Sequence, residues 1–278
     1  MERLLCESCH VPKVYSPARR VTDWTVITPD GGARVEYRGV EGPVDDPASL
    51  VTGFRPLLLP RITGDDSLPR LAPHNVIASW FWVHGDPPRP VRLGDLNHAY
   101  LDGNDYRADI VSVFDGDGNG EIEENELVLD STAKLDVVRR RLTTLGLEEP
   151  WVAAEIQPFS LHHGVTAGDW VTRSCDHCHS RSSGITAPFQ IASVVPGGVI
   201  PVLVGDTNVR MNGELYVDAD GQLVYSPVTK EDGFYVLGHD RSRVIDGVGL
   251  SVILMVLMGT LVHGGVRYRS FRARRGGA

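Results

Sequence analysis

The sequence predicts an α+β protein with much irregular loop structure, a helix–loop–helix near its middle and one transmembrane helix at its C-terminal end. Three observations support this fold class. Short segments alternate apolar and polar residues, as β-strands do. An acidic, glycine-containing loop lies between two apolar helical stripes. The 20 residues from Gly247 to Val266 contain no acidic residue, lysine or arginine. The 30 glycines and 18 prolines indicate the many loops.

The chain has 278 residues and a formal net charge of −9. This length accommodates about one to three domains. A negatively charged chain repels nucleic-acid phosphates, so we expect no nucleic-acid partner.

The N-terminal part of the chain predicts β structure. Trp24–Thr28 and Ala33–Tyr37 alternate in polarity on either side of a Pro-Asp-Gly-Gly turn, which predicts a hairpin. Residues 41–73 are rich in proline, aspartate and glycine and predict irregular chain. Asn75–Val83 is a dense apolar and aromatic run, which predicts a buried strand beside a cofactor or simply in the core.

The middle of the chain predicts a calcium site, because residues 115–126 match an EF-hand loop. Such a loop uses oxygens from positions 1, 3, 5, 7, 9 and 12 and needs glycine at position 6. The six ligand positions are Asp115, Asp117, Asn119, Glu121, Glu123 and Glu126, and Gly120 stands at position 6. Apolar stripes over 106–114 and 135–145 predict flanking helices. A solitary loop favours a structural Ca²⁺ clamp over a sensor.

The later part of the chain predicts one more helix and one more hairpin. Trp151–Ile156 predicts the start of a helix. Glu214–Val217 and Gln222–Tyr225 predict a hairpin around an Asp-Ala-Asp-Gly turn.

The four cysteines form two copies of one pattern, Cys6-Glu-Ser-Cys9-His10 and Cys175-Asp-His-Cys178-His179. C-x-x-C-H is the attachment signature of c-type haem, and its histidine becomes an axial iron ligand. Cysteine pairs of a zinc site are usually about 15–20 residues apart, and a thioredoxin-like pair needs a βαβ context. Neither alternative fits, so we expect two covalent haem c groups with His10 and His179 as proximal ligands.

Each iron also needs a ligand at its sixth position, or leaves that position open. Histidine is the favoured residue type in a protein with several haems. His162 and His163 are favoured because they lie in a glycine-bounded segment shortly before the second motif. His177 is a spacer residue of that motif and is expected to point away from its own porphyrin. The remaining candidates are His74, His84 and His98.

The uncharged run Gly247–Val266 has the length needed to cross a hydrocarbon core of about 30 Å. A buried core helix is the alternative, but such helices seldom run this long without a charge. Five arginines follow the run within residues 267–275, so the positive-inside rule places the C-terminus in the cytoplasm. His263, inside the run, is open to three roles: a b-type haem ligand, a quinone contact or a side chain that reaches the interface.

Covalent haem is attached outside the cytoplasm, yet the five residues before Cys6 leave no room for an export signal. The chain is therefore expected to be a mature or truncated product, or the C-terminal portion of a longer cytochrome, which we favour. We expect a single-pass protein of the cell inner membrane with its haem domain in the periplasm.

The run His162-His-Gly-Val, followed by Cys175-Asp-His-Cys178-His179-Ser180, resembles the late haem region of octahaem tetrathionate reductase-like cytochromes. Gly238-His239-Asp-Arg, followed by an apolar span ending His263-Gly-Gly, is similar to anchors that exchange electrons with cytochrome b-type membrane partners. The resemblance implies a multihaem cytochrome c type of fold, with bis-histidine or open-site haems that pass electrons along a chain of porphyrins. This sequence carries two haem motifs where that family carries eight.

Three functions follow as hypotheses. The leading one is a membrane-anchored dihaem cytochrome that transfers electrons between a quinone, a membrane cytochrome b or another multihaem cytochrome and a periplasmic redox partner. The second is the C-terminal portion of an oxidoreductase acting on a nitrogen or sulfur oxyanion. The third is a calcium-dependent structural or adhesion module without redox chemistry, which leaves the cysteine pattern unexplained.

We expect five regions in the chain. Residues 1–95 form a first haem region with β segments, and 96–146 form the EF-hand helix–loop–helix. Residues 147–240 form a second haem region with a β-hairpin, 241–266 the transmembrane helix and 267–278 a basic cytoplasmic tail.

Overall fold

A computed structural model of the chain describes residues 4–63, 68–180, 183–205, 208–228 and 242–275. For residues 273–275 it describes the backbone only. The chain divides into two compact units, Met1–Phe234 and Tyr235–Ala278. The Gly238-His239-Asp-Arg run of the resemblance lies outside the described residues.

The first unit is built mainly of β-strands, with helices at its surface. The strands are β1 (Ala18–Trp24), β2 (Arg34–Arg38), β3 (Leu57–Ile62), β4 (Pro69–His84), β5 (Arg89–Pro90), β6 (Leu101–Asp102), β7 (Asp105–Tyr106), β8 (Trp151–Ser160), β9 (Phe189–Ala192), β10 (Val202–Leu203), β11 (Gly213–Val217) and β12 (Leu223–Pro227). The α-helices are α1 (Cys6–His10), α2 (Leu93–Tyr100), α3 (Ala108–Phe114), α4 (Thr132–Thr144) and α5 (Asp176–His179). Two 3₁₀ turns span Gly168–Trp170 and Pro196–Gly198.

Strand β4 is the centre of the main sheet, which has the order β10-β8-β4-β1-β2, with β3 and β5 also paired to β4. Strand β8 runs antiparallel to β4 from His74↔Ser160 to Val83↔Trp151, whereas β1 runs parallel to β4. The sheet therefore joins residues from the expected regions 1–95 and 147–240. These two regions and the helical region between them belong to one compact unit.

One face of this sheet forms the core. Trp80 and Trp82 of β4 and Ile156 of β8 are almost fully buried, and they belong to one apolar cluster with residues of α2, α3, α4 and the β9–β12 sheet. The expected core position of the Asn75–Val83 run is thus confirmed. Burying this many large apolar side chains supplies most of the favourable free energy of folding.

The first hairpin forms, but its first strand is Ala18–Trp24 and not the predicted Trp24–Thr28. Strand β1 pairs with β2 from Asp23↔Arg34 outward. The second forms between β11 and β12. Helix was the wrong prediction for Trp151–Ile156, since every second residue of β8 is buried, which is the period of a strand against a core. The stretch 41–73 is only partly irregular, because it contains β3 and the start of β4.

The second unit contains helix α6, Arg243–Arg275. Its residues Arg243–Arg272 are long and apolar enough to cross a membrane, with a mean hydropathy of 2.1 in the most apolar window. The helix does not end at Val266, where the membrane span was expected to stop. It continues through the arginine-rich segment to Arg275, so at 1.5 Å per residue its 33 residues extend for about 50 Å.

Candidate haem and calcium sites

Both cysteine motifs fold as single helical turns, α1 and α5. A helical turn places residues three apart on the same side, so each pair of thiols can reach one porphyrin. Cys6 and Cys175 are exposed, Cys9 and Cys178 are half-buried, and all four are free of disulfides. This donor set fits the attachment of two haem groups.

Helix α1 is held on the central strand by its spacer residue Ser8. The Ser8 side chain is 9 % exposed, and its Oγ donates to the Leu71 carbonyl at 2.6 Å. The backbone N–H of Leu5 donates to the same carbonyl at 3.0 Å. The buried spacer side leaves the cysteine-bearing side of the turn toward solvent, which is where a porphyrin has room.

One ring nitrogen of His10 has a hydrogen-bond partner, which leaves the other for a metal ion. Its Nδ1 lies 2.9 Å from the carbonyl oxygen of Thr166. A carbonyl can only accept, so Nδ1 carries the proton and the lone pair of the neutral ring is at Nε2. An N–H···O=C bond of this kind fixes the orientation and tautomer of a metal-binding histidine.

The segment before the second motif is bound to the first motif. The N–H of Thr166 donates to the His10 carbonyl at 2.8 Å, and the N–H of Thr172 donates to the Cys9 carbonyl at 3.1 Å. Burial raises the pKa of the Cys178 thiol, and the proximity of Cys9 and then Cys175 raises it further. The two attachment sites are therefore neighbours.

A small cavity borders residues of both motifs. Its volume is about 20 Å³, which suits about one water molecule, and its lining includes Ser8, Val11, Arg55, His177 and Cys178. In the segment before the second motif, Val165 and Trp170 are 62 % and 73 % exposed. The buried Thr172 Oγ1 has no hydrogen-bond partner among the described residues.

His162 lies beside the first motif, but its ring already has two polar neighbours. Its Nδ1 is 3.5 Å from Oε1 of Glu7, the spacer residue that follows Cys6, and its Nε2 is 3.4 Å from a guanidinium nitrogen of Arg61. The ring is half-exposed. Iron ligation by His162 therefore requires the Arg61 or the Glu7 contact to break.

His163 is exposed, next to His162. His177 points into the small cavity that also borders Ser8, and burial, followed by the charge of Arg55, lowers its pKa. The orientation of His177 relative to a porphyrin stays a prediction. Iron ligation by His163 would require no described hydrogen bond to break.

His74 is buried in β4 and has partners at both ring nitrogens. Nδ1 lies 2.9 Å from the Ala72 carbonyl and Nε2 lies 3.2 Å from Ser160 Oγ. As a haem ligand it would have to leave the sheet interior, so its role here is to join β4 to β8. His84 lies at the other end of β4, about 40 Å along the strand from Leu71 where α1 is attached. His98 lies in α2, which follows β5 beyond that far end.

The acidic loop folds around its own carboxylates. Asp115 accepts from the N–H groups of Gly118 and Gly120 at 2.6 and 2.8 Å, and these bonds, that of Gly120 first, lower its pKa. Carboxylate oxygens of Asp115, Asp117 and Glu126 lie within 4.8 Å of one another. Oxygens on opposite sides of one Ca²⁺ are about 5 Å apart, since each is 2.3–2.6 Å from the ion.

The remaining ligand positions lie in the same loop. Asn119 donates through Nδ2 to Glu123 Oε1 at 2.6 Å and accepts at Oδ1 from the N–H of Glu121 at 2.7 Å. A hydrogen bond shared by Glu123 and Glu126 raises the pKa of Glu123 and lowers that of Glu126. These opposite shifts follow from the close approach of the two exposed carboxyl groups.

Helices form on both sides of the loop where the apolar stripes predicted them. Helix α3 ends at Phe114, directly before Asp115. Helix α4 begins at Thr132, after Ser131 caps it by accepting from the N–H of Lys134, so position 12 of the loop lies outside the exiting helix. The buried Lys134 ammonium group donates to the Glu126 carbonyl at 2.8 Å and thereby links the loop to the core.

No protein-family model and no curated protein matches the chain. A solved structure with some likeness to it is the octaheme cytochrome c from Shewanella oneidensis. That likeness has 13 % sequence identity and a TM-score of 0.32, and it covers 64 % of this chain and 43 % of the other. This chain thus spans less than half the length of that protein.

Sequence reasoning missed the contacts made by Glu7, Arg61 and Thr166. Glu7 is a variable spacer inside the first motif, and Arg61 belongs to a strand with no motif. Thr166 acts through its backbone carbonyl, which every residue type carries. None of the three left a signal in the pattern of residue types.

Proposed function

We propose that this protein is a membrane-anchored dihaem c-type cytochrome that transfers electrons between a membrane quinone or cytochrome b partner and a periplasmic redox partner. The observation that carries the proposal is that the segment directly before the second C-x-x-C-H turn is hydrogen-bonded to the first turn, through Thr166 to His10 and through Thr172 to Cys9. Each haem, when bound, supplies a one-electron iron couple whose potential depends on axial ligand, burial and hydrogen bonds.

The chain's own residues would have separate roles in holding the two haem groups. Cys6, Cys9, Cys175 and Cys178 would hold the two porphyrins, and His10 and His179 would serve as proximal ligands. The Thr166 carbonyl orients the His10 ring. Electron transfer needs no bond to form or break, so a pair of fixed, neighbouring sites suits it.

The proposed placement is a single pass through the cell inner membrane by α6, with the haem-bearing unit in the periplasm. The helix length and the arginines after Val266 support it, through the positive-inside rule. Redox partners would include a membrane cytochrome b or another multihaem cytochrome.

The alternative is the C-terminal portion of a multihaem oxidoreductase acting on a nitrogen or sulfur oxyanion. Arg61 favours it, because a guanidinium beside His162 at the first motif offers a contact for an oxyanion. A high-spin ferric spectrum that shifts with nitrite or cyanide would support this alternative. Purely low-spin spectra would support the electron carrier.

Covalent haem is the first prediction. Expressed in a host with a cytochrome maturation system, the protein should stain for haem on a denaturing gel and weigh two haem groups more than its polypeptide. Replacing Cys175 and Cys178 together by alanine should remove one haem, and replacing all four cysteines should remove both, since thioether bonds alone survive denaturation.

A serine-to-alanine change at exposed Ser174, next to the second motif, serves as the control and should keep both haem groups. A polypeptide that matures without any added mass would contradict the proposed function. Partial loading of one motif would restrict the protein to a monohaem carrier.

We also propose that residues 115–126 bind one Ca²⁺ as a structural clamp. The converging oxygens of Asp115, Asp117 and Glu126 support this proposal. The cation would bind between these oxygens and fix the end of the loop that Lys134 attaches to the core.

Calcium binding is the second prediction. Titration calorimetry should detect one site, and Glu126→Gln should weaken it at least about tenfold, or 1.4 kcal/mol, because it removes a bidentate anionic ligand. Glu124→Gln removes the same charge from a non-ligand position of the loop and should have a much smaller effect. Equal losses in the two variants, or no heat of binding in the unaltered protein, would rule the site out.

A further inference from the structure

The segment from His163 to Arg173 joins the two haem motifs. Between described residues, its hydrogen bonds to the rest of the unit all end on His10 or Cys9. They are the Thr166 N–H and Oγ1 bonds to the His10 carbonyl, the His10 Nδ1 bond to the Thr166 carbonyl and the Thr172 N–H bond to the Cys9 carbonyl. The second motif begins two residues after this segment, at Cys175.

These bonds link residues that are 156 positions apart in the chain, His10 and Thr166. They also run in both directions, since the His10 ring donates to Thr166 while the His10 carbonyl accepts from it. A movement of the segment that displaces Thr166 therefore alters the hydrogen bond made by the His10 ring. Such movement is easy to produce, because the segment is largely exposed and Val165 and Trp170 pack against little protein.

We infer that Thr166 is a positioning residue through which the polypeptide of the second haem site sets the reduction potential of the first haem. This inference rests on the proposed function. The hydrogen bond from Nδ1 to the Thr166 carbonyl makes the His10 imidazole a stronger electron donor at Nε2. A stronger donor stabilises the ferric iron and holds the potential of that haem low.

The Thr166 carbonyl can be displaced through its neighbour Ala167. This exposed residue has φ −134°, whereas proline requires φ near −65°. Ala167→Pro therefore turns the peptide that carries the Thr166 carbonyl, and it removes no backbone hydrogen bond donated by residue 167 among those described. Ala167→Val is the matched control, because a β-branched residue favours the extended conformation already present.

The test is a spectroelectrochemical titration of the full-length, two-haem protein in detergent. In Ala167→Pro, the potential of one haem should rise while the other stays unchanged, and Ala167→Val should leave both unchanged. In a Cys6→Ala, Cys9→Ala background, which keeps only the second haem, Ala167→Pro should have no effect. That background assigns the shifted potential to the first haem.

The inference is overturned if Ala167→Pro leaves both potentials in place, or if it shifts the potential of the haem that remains in the Cys6→Ala, Cys9→Ala background. Thermal unfolding of each variant shows whether the fold is kept. A haem-stained gel, run first, separates this failure from failure of the proposed function. Absence of haem in the unaltered protein overturns the function itself, whereas two haems with an unmoved potential overturn only the role of Thr166.

Discussion

Replacing Glu36 by glutamine is expected to lower the free energy of unfolding by about 3 kcal/mol, the usual cost of breaking a buried ion pair from one side. Glu36 contacts Arg20 at 3.0 Å and Arg34 at 2.9 Å, with its side chain 9 % exposed, and Ser193 donates to it. Two residues along β2, Arg38 is also buried, and burial, followed by the charge of Arg20, lowers its pKa to about 9. Without Glu36, the guanidinium groups of Arg20 and Arg34 lose the carboxylate that neutralises them.

The measurement is thermal unfolding of the detergent-solubilised protein, where 3 kcal/mol corresponds to a drop of about 6–12 °C for a unit of this size. Glu41→Gln, an exposed position near β2, should change the midpoint little.

The destabilisation caused by Glu36→Gln should also be smaller in acid. Burial raises the pKa of Glu36, but the Ser193 hydrogen bond and the two arginines outweigh it and hold the pKa below its ordinary value. The stability that Glu36 supplies is therefore present at neutral pH and lost as pH falls through that lowered pKa. Equal midpoints for Glu36→Gln and Glu41→Gln would contradict this account.

Replacing Asp23 by asparagine is expected to stabilise the protein above pH 6. Asp23 is fully buried, and burial raises its pKa from 3.8 to about 6, against the opposing hydrogen bonds from Thr25. Its Oδ1 accepts two bonds from Thr25, while its Oδ2 has no partner among the described residues. The raised pKa means that the folded state holds this proton more tightly than the unfolded state does.

The sign of the pH dependence follows from that difference. The contribution of Asp23 to stability is fully present below about pH 4 and is lost as pH rises through about 6, a loss of about 3 kcal/mol from a shift near two pKa units. Asparagine has no proton to lose, so Asp23→Asn should remove this decline and gain on the order of 2 kcal/mol at pH 8, less the cost of a buried amide N–H₂. Chemical denaturation of the unaltered protein and of Asp23→Asn at pH 4, 6 and 8 measures how the free energy of unfolding of each depends on pH.

Asp45→Asn is the control, since Asp45 is exposed and its replacement should leave the pH profile of stability as it is. A variant Asp23→Asn that declines between pH 4 and 6 as steeply as the unaltered protein would show that another group is responsible. A variant that is less stable at pH 8 would show that the unpartnered amide costs more than the buried charge.

Much of the local structure could be read from residue spacing. The two hairpins, the buried Asn75–Val83 run and a long apolar C-terminal helix all form. The failures have specific causes. Trp151–Ile156 has a pattern that suits a strand only when a partner is present, and β4 is that partner over ten residue pairs. The first strand of the N-terminal hairpin ends at Trp24, where the prediction had it begin.

The sequence by itself identified each candidate site, because the motifs depend on residues a few positions apart. Two thiols and a histidine within five residues match a haem-attachment signature, alternate oxygens and a glycine within twelve match a calcium-loop pattern, and 20 residues without acid, lysine or arginine match the length of a span. Only the tertiary structure decided which sites are neighbours and what each histidine touches. Those contacts join residues far apart in the chain, such as His10 with Thr166 and His74 with Ser160. They depend on the pairing of β4 with β8, which no short spacing encodes.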